Sequence, residues 1–445
     1  MKLASFLAPS MDHAAIDNAA LAEVETPWPS SRYRWLLLAM LLPATIFEGY
    51  DITIFHLCTP DITAAFHLSD ATVGTIAATV RAGGLLSFFV VTLADRFGRK
   101  RMLANTVLCY GVFTLLTAFT YDALTFTIAQ SVAQIFLAAE FGIAVTMISE
   151  EFPDSERGRA VSILLTAAFL GVATAGLLYG PIAASHWGWR GMYLLGVAPL
   201  FLISWIRGWM RETQRFLIAS DGRTPRDRKL FEPLRECLAP MRGPWARRMI
   251  LVATLCNCAG LVGGPVISFF SLYAERDRGW TSSQVGIAFV VAYFAGSAGS
   301  LLSGYLLDRI GRRITAVIFF LTSAITAATL FQSYHHRAVF IALTVAMFAY
   351  QGARTATSAL AAELFPTAAR ATGFSLTVQV FGQLGWIIAP FGVGLLSRLM
   401  GGLGNAATLF AAGPIVGALL VIAMAPETRG QSLEELAGDS PVIVH

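Results

Sequence analysis

Five ionisable residues lie inside or beside long apolar runs of this 445-residue chain, in which only 13% of residues are charged. They are Glu48, Asp51, Arg81, Glu140 and Arg354. A charge at the centre of a membrane-spanning helix costs about 2.5–3.5 kcal/mol on insertion scales, so such residues usually serve a function. Two kinds of chemistry fit them: reversible protonation of a carboxyl group and binding of an anion by a guanidinium group.

Glu48, Asp51 and Arg81 are predicted to form one polar cluster. Glu48 and Asp51 are three residues apart, so they can project from one face of a helix. At about 1.5 Å per residue, Asp51 and Arg81 lie roughly 24 and 21 Å from the same ends of neighbouring helices. Two carboxylates in a low-dielectric cavity repel, which favours protonation of one, while Arg81 can hold the other ionised. We predict that Asp51, or else Glu48, carries a proton. The alternative is a static Asp51–Arg81 pair that joins two helices.

Glu140 and Arg354 form a second layer, roughly 12 and 9 Å from that same end of their helices. The planar guanidinium of Arg354 matches the two oxygens of a carboxylate, so Arg354 is predicted to bind an anionic ligand. Tyr350 and Gln351 lie one turn earlier and can complete the contact. The alternative is an inner gate that Glu140 and Arg354 close together, and both roles can hold at different stages of a cycle.

Several amide side chains and one indole are further candidates for ligand contact. Amides in membrane helices orient polar ligands, but they also bond neighbouring helices to each other. The candidates are Gln130, Gln134, Asn257, Gln383 and Trp386.

The composition predicts the kind of secondary structure that positions these residues. Hydrophobic residues make up 56% of the chain and the mean hydropathy is +0.63. This excludes an ordinary soluble domain, which is roughly 45–50% apolar and about 25% charged. One helical crossing needs about 20 apolar residues, so the pattern predicts an all-α integral membrane protein with twelve spans. The predicted spans are 35–57, 72–95, 102–121, 123–148, 160–183, 190–208, 249–273, 283–307, 314–333, 338–361, 371–397 and 404–425.

The lysines and arginines predict the orientation and the domains. Most of the 32 lie in the tails and in the loops on the same side as the tails, which places both termini in the cytoplasm. The predicted division is a tail at 1–34, a six-helix bundle at 35–208, a linker at 209–248, a second bundle at 249–425 and a tail at 426–445.

An internal repeat supports two equivalent halves. DRFGRK at 95–100 recurs as DRIGRR at 308–313, and EEFPDSER at 150–157 recurs as ELFPTAAR at 363–370. Both pairs share one offset, which indicates parallel repeats related by an axis along the membrane normal.

On these motifs, the chain resembles the major facilitator superfamily over nearly its whole length. LADRFGRKR at 93–101 is similar to the loop signature of that family. FEGYD at 47–51, AEFG at 139–142, WGWRGMYLLGVAP at 187–199 and PETRGQSLEEL at 426–436 resemble its proton-coupled organic-acid branches, the sialic acid, metabolite and aromatic-acid symporters. Glu48 stands where those branches usually have an aspartate.

The resemblance implies a fold of two pseudo-symmetric six-helix bundles and an inner gate. The polar turns on the terminal side would latch the two halves while the carrier faces outward. The residues so implicated, besides Glu140 and Arg354, are Asp95, Arg96, Arg99, Asp308, Arg309, Arg312, Glu150, Arg157, Glu363 and Arg370.

The expected function is proton-coupled uptake of a small organic anion, a carboxylate, by alternating access in the plasma (inner) membrane. A proton-antiporting exporter and a sugar or organic-cation carrier are the alternatives. The sequence contains no nucleophile–base set, phosphate loop or metal-ligand spacing, so we expect no enzyme activity, no cofactor and no metal. The expected partners are the substrate, protons and the lipid bilayer, without nucleic acid, and the chain is expected to work as a monomer.

Overall fold

The chain forms a helical bundle in a computed structural model that describes residues 30–207, 210, 212, 246–364 and 374–429. Within these residues every regular element is helical, as predicted. The helices are α1 Ser31–Leu57, α2 (Asp70–Gly83, Gly84–Leu86 and Ser87–Phe97), α3 Arg99–Ala118, α4 Ala123–Glu151, α5 Asp154–Ala183, α6 Gly188–Arg207, α7 Ala246–Leu272, α8 Ser282–Ile310, α9 Arg312–Gln332, α10 His336–Leu364, α11 (Ser375–Val380, Phe381–Gln383 and Leu384–Leu396) and α12 (Leu403–Phe410 and Ala412–Met424). A short helix, Thr59–Ala65, follows α1.

The twelve helices confirm the predicted spans. Ten of the helices in the described ranges are long and apolar enough to cross a membrane by length and composition, and α6 and α11 complete the set. The predicted linker and tails lie almost entirely outside the described residues, so the proposed domain boundaries stay predictions. We call the end of the bundle where α1 begins and α12 ends the terminal side, and the other end the opposite side.

Local sequence explains where several helices begin. The side chain of Asp122 accepts hydrogen bonds from the backbone N–H groups of Leu124 and Thr125 at the start of α4. At the start of α8, Thr281 and Gln284 exchange side-chain and backbone hydrogen bonds in a capping box. Both caps satisfy backbone groups that the first helical turn leaves unpaired.

The two halves pack on each other through glycines in two equivalent helix pairs. In the pair of α5 and α8, a Cβ on Gly176 would lie 2.6 Å from the carbonyl oxygen of Gly286. In the pair of α2 and α11, a Cβ on Gly74 would lie 2.3 Å from the carbonyl oxygen of Pro390. Because α2 and α5 of the first half correspond to α8 and α11 of the second, the two contacts are related by the internal repeat.

The buried apolar core shows which side of the bundle is closed. One cluster crosses between the halves on the opposite side, and it includes Tyr179 and Trp189 of the first half with Phe270 and Tyr273 of the second. On the terminal side the described residues form separate clusters, for example that around Phe152. The halves are therefore closed together on the opposite side.

Candidate functional site

A polar cavity lies between the halves, near the middle of the helices. Residues from α1, α2 and α4 line one wall, and residues from α7 and α11 line the other. Its polar and aromatic lining consists of Asp51, Phe55, His56, Arg81, Gln130, Gln134, Ser268 and Trp386. Asp51 and Arg81 of the predicted proton site and three of the predicted substrate-binding residues therefore border one cavity.

Arg81 reaches across this cavity to the second half. One guanidinium nitrogen, Nη2, donates a hydrogen bond of 2.9 Å to Oε1 of Gln383, and its Cζ lies 4.7 Å from the ring centroid of Trp386. The expected ion pair with Asp51 is absent, and no carboxylate of the described residues lies within 4.0 Å of Arg81. A neutral amide and an aromatic face thus compensate this partly buried charge only in part.

Arg354 has a similar environment on α10. Its Nη1 donates to Oε1 of Gln351 at 3.2 Å, and its Cζ lies 5.9 Å from the ring centroid of Tyr350. Tyr350 packs edge-on against Trp386, and Arg354 is close enough to Arg81 for their charges to interact. Gln351 and Tyr350 therefore flank Arg354 as the spacing predicted, and two arginines face the same region.

The predicted contact between Glu140 and Arg354 is not formed in this conformation. No ion pair within 4.0 Å joins Glu140 to Arg354, although both residues are described. Glu140 is buried, whereas Arg354 is exposed. An unformed contact on the terminal side is the expected state of a gate when the opposite side is closed.

The two acids of α1 are both buried but have different surroundings. Asp51 and Glu48 are 6% and 7% exposed. Asp51 lines the cavity, and its Oδ1 has no hydrogen-bond partner among the described residues. Next to it, the hydroxyl of Tyr50 donates to the backbone carbonyl of Met192, which fixes this part of α1 against α6. Asp51 is thus the better placed of the two predicted proton carriers, and the role stays a prediction.

The amide side chains divide into two groups. Gln134 lines the cavity, as does Gln130, whose Nε2 also donates to Oγ1 of Thr117. Asn257 instead links α7 to the broken part of α11: its Nδ2 donates to the carbonyl of Phe381, and its Oδ1 accepts from the N–H of Gly385. The cavity lining does not include Asn257, which points to a structural function for this residue.

The repeated loop motifs form the same ion pair twice on the terminal side. Nη2 of Arg99 lies 2.8 Å from Oε1 of Glu150, and Nη2 of Arg312 lies 2.7 Å from Oε1 of Glu363. Arg312 follows Arg99 by the same number of residues as Glu363 follows Glu150. Each pair joins the start of one helix to the end of another within its own half. The repeat found in the sequence is therefore also a repeat in the structure.

Two further acids, which lie outside the predicted gate residues, complete these turns. Glu212 accepts hydrogen bonds from the backbone N–H groups of Arg99 and Lys100, and Glu427 accepts from those of Arg312 and Arg313. These hydrogen bonds place a carboxylate at each helix N-terminus, where the helix dipole stabilises negative charge. They also hold the pKa of Glu427 below its ordinary value, although burial opposes the shift. The sequence signal for these two acids is an E-T dipeptide, which occurs at 212–213 and again at 427–428.

The turns themselves need glycine. Gly98 and Gly311 have φ angles of 98° and 94°, a region that favours residues without a Cβ. A Cβ on Gly311 would also lie 2.7 Å from Oε2 of Glu427. The two glycines therefore allow each turn to close on its acid.

The remaining predicted gate residues have more varied positions. Asp308 is exposed and lies 3.6 Å from Arg312, while Arg309 stacks over Tyr305. Nη2 of Arg157 reaches the carbonyl of Phe152 at 3.5 Å. The side chains of Asp95 and Arg96, and the whole of Arg370, lie outside the described residues.

Cross-half polar contacts of the described residues lie on the opposite side as well as in the cavity. Nη1 of Arg276 lies 2.5 Å from Oδ1 of Asp70, and Oγ of Ser271 donates to the carbonyl of His56 at 2.6 Å. The sequence carries no signal for the Arg276–Asp70 pair, because residues at helix ends show no burial pattern.

Twelve helices in two related halves around a polar central cavity define a membrane transporter. The family model of the Major Facilitator Superfamily matches residues 41–276 and, a second time, residues 250–442. The chain belongs to the Major Facilitator Superfamily, as the motifs predicted, and its members are transporters rather than enzymes.

Curated relatives and solved structures agree with this family. The chain is 27% identical to the 3-(3-hydroxy-phenyl)propionate transporter of Escherichia coli, over 91% of this chain and 98% of that protein. It is 25% identical to the 4-hydroxybenzoate transporter of Pseudomonas putida, over 82% of this chain and 86% of that protein. The xylose transporter of Escherichia coli in an inward-open conformation has a TM-score of 0.74 at 19% identity, and covers 91% of this chain and 99% of its own. At 19% identity, the similarity to the xylose transporter shows a common fold and nothing more.

Proposed function

We propose that the protein is a proton-coupled symporter that carries a small carboxylate, of the aromatic or sugar acid type, into the cytoplasm. The terminal side would be the cytoplasmic side of the inner membrane, since most lysines and arginines lie there. The transporter would function as a monomer.

The observation that carries this proposal is the pair of arginines without acidic partners. Arg81 and Arg354 bond only neutral amides among the described residues, and each lies beside an aromatic ring. An arginine within a membrane span is costly without a counter-ion, and a carboxylate substrate would supply one. The rings of Trp386 and Tyr350 would pack against the body of the substrate. A neutral sugar or a cation would leave both arginines uncompensated, which argues against the carriers of those substrates.

The names of the relatives support the same substrate class. Relatives at 24–27% identity are described as transporters of 4-hydroxybenzoate, gallate, 3-(3-hydroxy-phenyl)propionate and sialic acid, and all of these substrates carry a carboxylate. At this level of identity the substrate class is more transferable than the individual substrate.

Asp51 is the proposed carrier of the coupled proton. It borders the cavity, it is buried, and no cation of the described residues pairs with it. Protonation would remove the cost of burying its charge, and return of the carboxylate to water would release the proton. Glu48 is the second candidate because it is buried one helical turn away.

Uptake by proteoliposomes tests the coupling. With 4-hydroxybenzoate as the probe, an inward proton gradient should drive accumulation above equilibrium, and a protonophore should abolish it. We expect Asp51→Asn to retain exchange of labelled substrate but to lose accumulation, because it keeps the shape of the side chain and removes the titrating group. Glu48→Gln is the matched variant on the same helix. Gradient-driven accumulation by both variants would contradict the assignment of the proton, and efflux driven by an inward proton gradient would indicate an exporter.

A further inference from the structure

One tyrosine hydroxyl bridges two carboxyl groups where the halves meet on the opposite side. The hydroxyl oxygen of Tyr179, near the end of α5, lies 3.1 Å from Oδ2 of Asp61 and 3.0 Å from Oε1 of Glu275. Asp61 belongs to the short helix Thr59–Ala65 of the first half, and Glu275 belongs to the π-helical turn that extends α7 of the second. We call Asp61, Tyr179 and Glu275 the carboxyl–tyrosine triad.

The triad cannot be satisfied when both acids are ionised. A tyrosine hydroxyl has one hydrogen atom, so it donates one hydrogen bond at a time, and an ionised carboxylate only accepts. Both contacts are hydrogen bonds when one carboxyl group is protonated and donates to the oxygen of Tyr179, while the hydroxyl donates to the other carboxylate. The closed arrangement therefore requires one proton more than two ionised acids would hold.

Among the described residues, no cation next to the triad takes the place of this proton. Among the described residues no ion pair within 4.0 Å reaches Asp61 or Glu275. Arg276, next to Glu275 in sequence, is engaged with Asp70 and Asp277 instead.

The other titratable groups that face the triad do not stabilise ionised acids either. Besides the three members, Cys58 at the start of the short helix is the titratable group close enough to interact with both acids. Partial burial raises the pKa of Asp61, against the opposing effect of the hydrogen bond from Tyr179. Asp61 and Glu275 are only half-buried, so water can deliver and remove a proton.

We propose that the carboxyl–tyrosine triad is a second proton-binding site, which takes up one proton when the halves close on the opposite side and releases it when they separate. Separation moves Glu275 away from Asp61 and Tyr179, because the triad members belong to different halves. Each acid then gains water and loses a like-charged neighbour, so the proton is no longer held.

Proton linkage gives the direction and the size of the effect. Since the closed state binds one proton more than the open state, acid on this side favours closure and alkali favours opening. The ratio of closed to open molecules changes up to about tenfold per pH unit in the range where only the closed state holds the proton. The site is separate from Asp51 in position and in function, and it needs no substrate.

Hydrogen–deuterium exchange of the purified full-length protein over a pH series tests the proposal. After correction for the intrinsic pH dependence of amide exchange, peptides that cover 59–65 and 273–277 should lose protection as the pH rises. Glu275→Gln keeps a neutral group that donates to Tyr179, so this variant should remain protected at high pH and lose the pH dependence. Protection of the native protein that is independent of pH, or an unchanged pH dependence in Glu275→Gln, would overturn the proposal.

A matched variant separates the proton from simple contact between the halves. Asp70→Asn removes the ion pair with Arg276 on the same side but leaves the triad intact. It should lower protection by a similar factor at every pH and retain the pH dependence of the native protein. If Asp70→Asn abolishes the pH dependence as Glu275→Gln does, the proton belongs to the ion pair and the triad assignment is wrong.

Infrared spectroscopy of the native protein gives a measurement that does not depend on how a variant folds. The closed protein should show the C=O stretch of a protonated carboxyl group. This band should disappear as the pH is raised and the halves separate on the opposite side. The band of the triad should persist in Asp51→Asn, and it should be missing in Glu275→Gln, where only a band from a protonated Asp51 can remain. Its absence from the native protein under conditions where the opposite side is protected would refute the shared proton.

Discussion

Replacement of Arg81 by glutamine tests how the protein recognises its substrate. The substitution removes the positive charge from the cavity and leaves a shorter, neutral polar side chain in place of the guanidinium whose Nη2 lies 2.9 Å from Oε1 of Gln383 in the native protein. Truncation of one partner of a buried, hydrogen-bonded charge pair costs about 2–5 kcal/mol. Since about 1.4 kcal/mol is tenfold in affinity, binding of a carboxylate should weaken by at least about 30-fold.

The chain contains a matched control for this substitution. Arg190 also stacks over an indole, with its Cζ 4.3 Å from the ring centroid of Trp189, and it also bonds a neutral acceptor, the carbonyl of Thr120 at 2.8 Å. It lies outside the lining of the central cavity. Arg190→Gln should therefore leave substrate affinity unchanged while it removes the same charge from the protein.

Isothermal titration of detergent-solubilised protein with 4-hydroxybenzoate and with 3-(3-hydroxyphenyl)propionate measures both variants. The corresponding amides, which lack the carboxylate charge, should bind the native protein weakly and should be insensitive to Arg81→Gln. Affinity of Arg81→Gln for the acids within about threefold of the native value would refute the anion-binding function of Arg81. A loss of equal size in Arg190→Gln would show that the effect is not local to the cavity.

Two further substitutions test the structural assignments. Gly311→Ala should destabilise the protein by about 1–3 kcal/mol, because its φ of 94° suits glycine and the new Cβ would meet Glu427. Thermal unfolding measures this, and Gly304→Ala, whose Cβ would meet nothing within 4 Å, should not lower the midpoint. Asn257→Ala should lower thermal stability by about 1–3 kcal/mol, because Gly385 N–H loses its acceptor, with little change in substrate affinity. A selective loss of affinity in Asn257→Ala would restore its predicted function in binding.

Local composition determined the membrane fold. Insertion of a helix depends on the apolar character of its own stretch of about 20 residues, so each span could be predicted from its own sequence. The ion pairs of the loops could also be predicted from the sequence, because Arg99 and Arg312 lie at the ends of helices and recur with Glu150 and Glu363 at one offset. The structure joins the members of each pair within its own half.

Depth along a helix was predictable, but the direction in which a side chain points was not. Asp51 and Arg81 do border one cavity, as their depths suggested. The partner of Arg81 is nevertheless Gln383, which is 302 positions away, and the arithmetic of depth could not select it. Asn257 gave the same polar signal as Gln134, yet its amide bonds the backbone of α11.

The sequence by itself determined that this protein spans the membrane twelve times in two related halves and which charges lie within the spans. Only the tertiary structure decided which of these charges meet. Rotation and tilt of each helix depend on its packing against several others, so a contact such as that of Tyr179 with Asp61 and Glu275 depends on three separate elements at once. No single stretch of sequence contains that information.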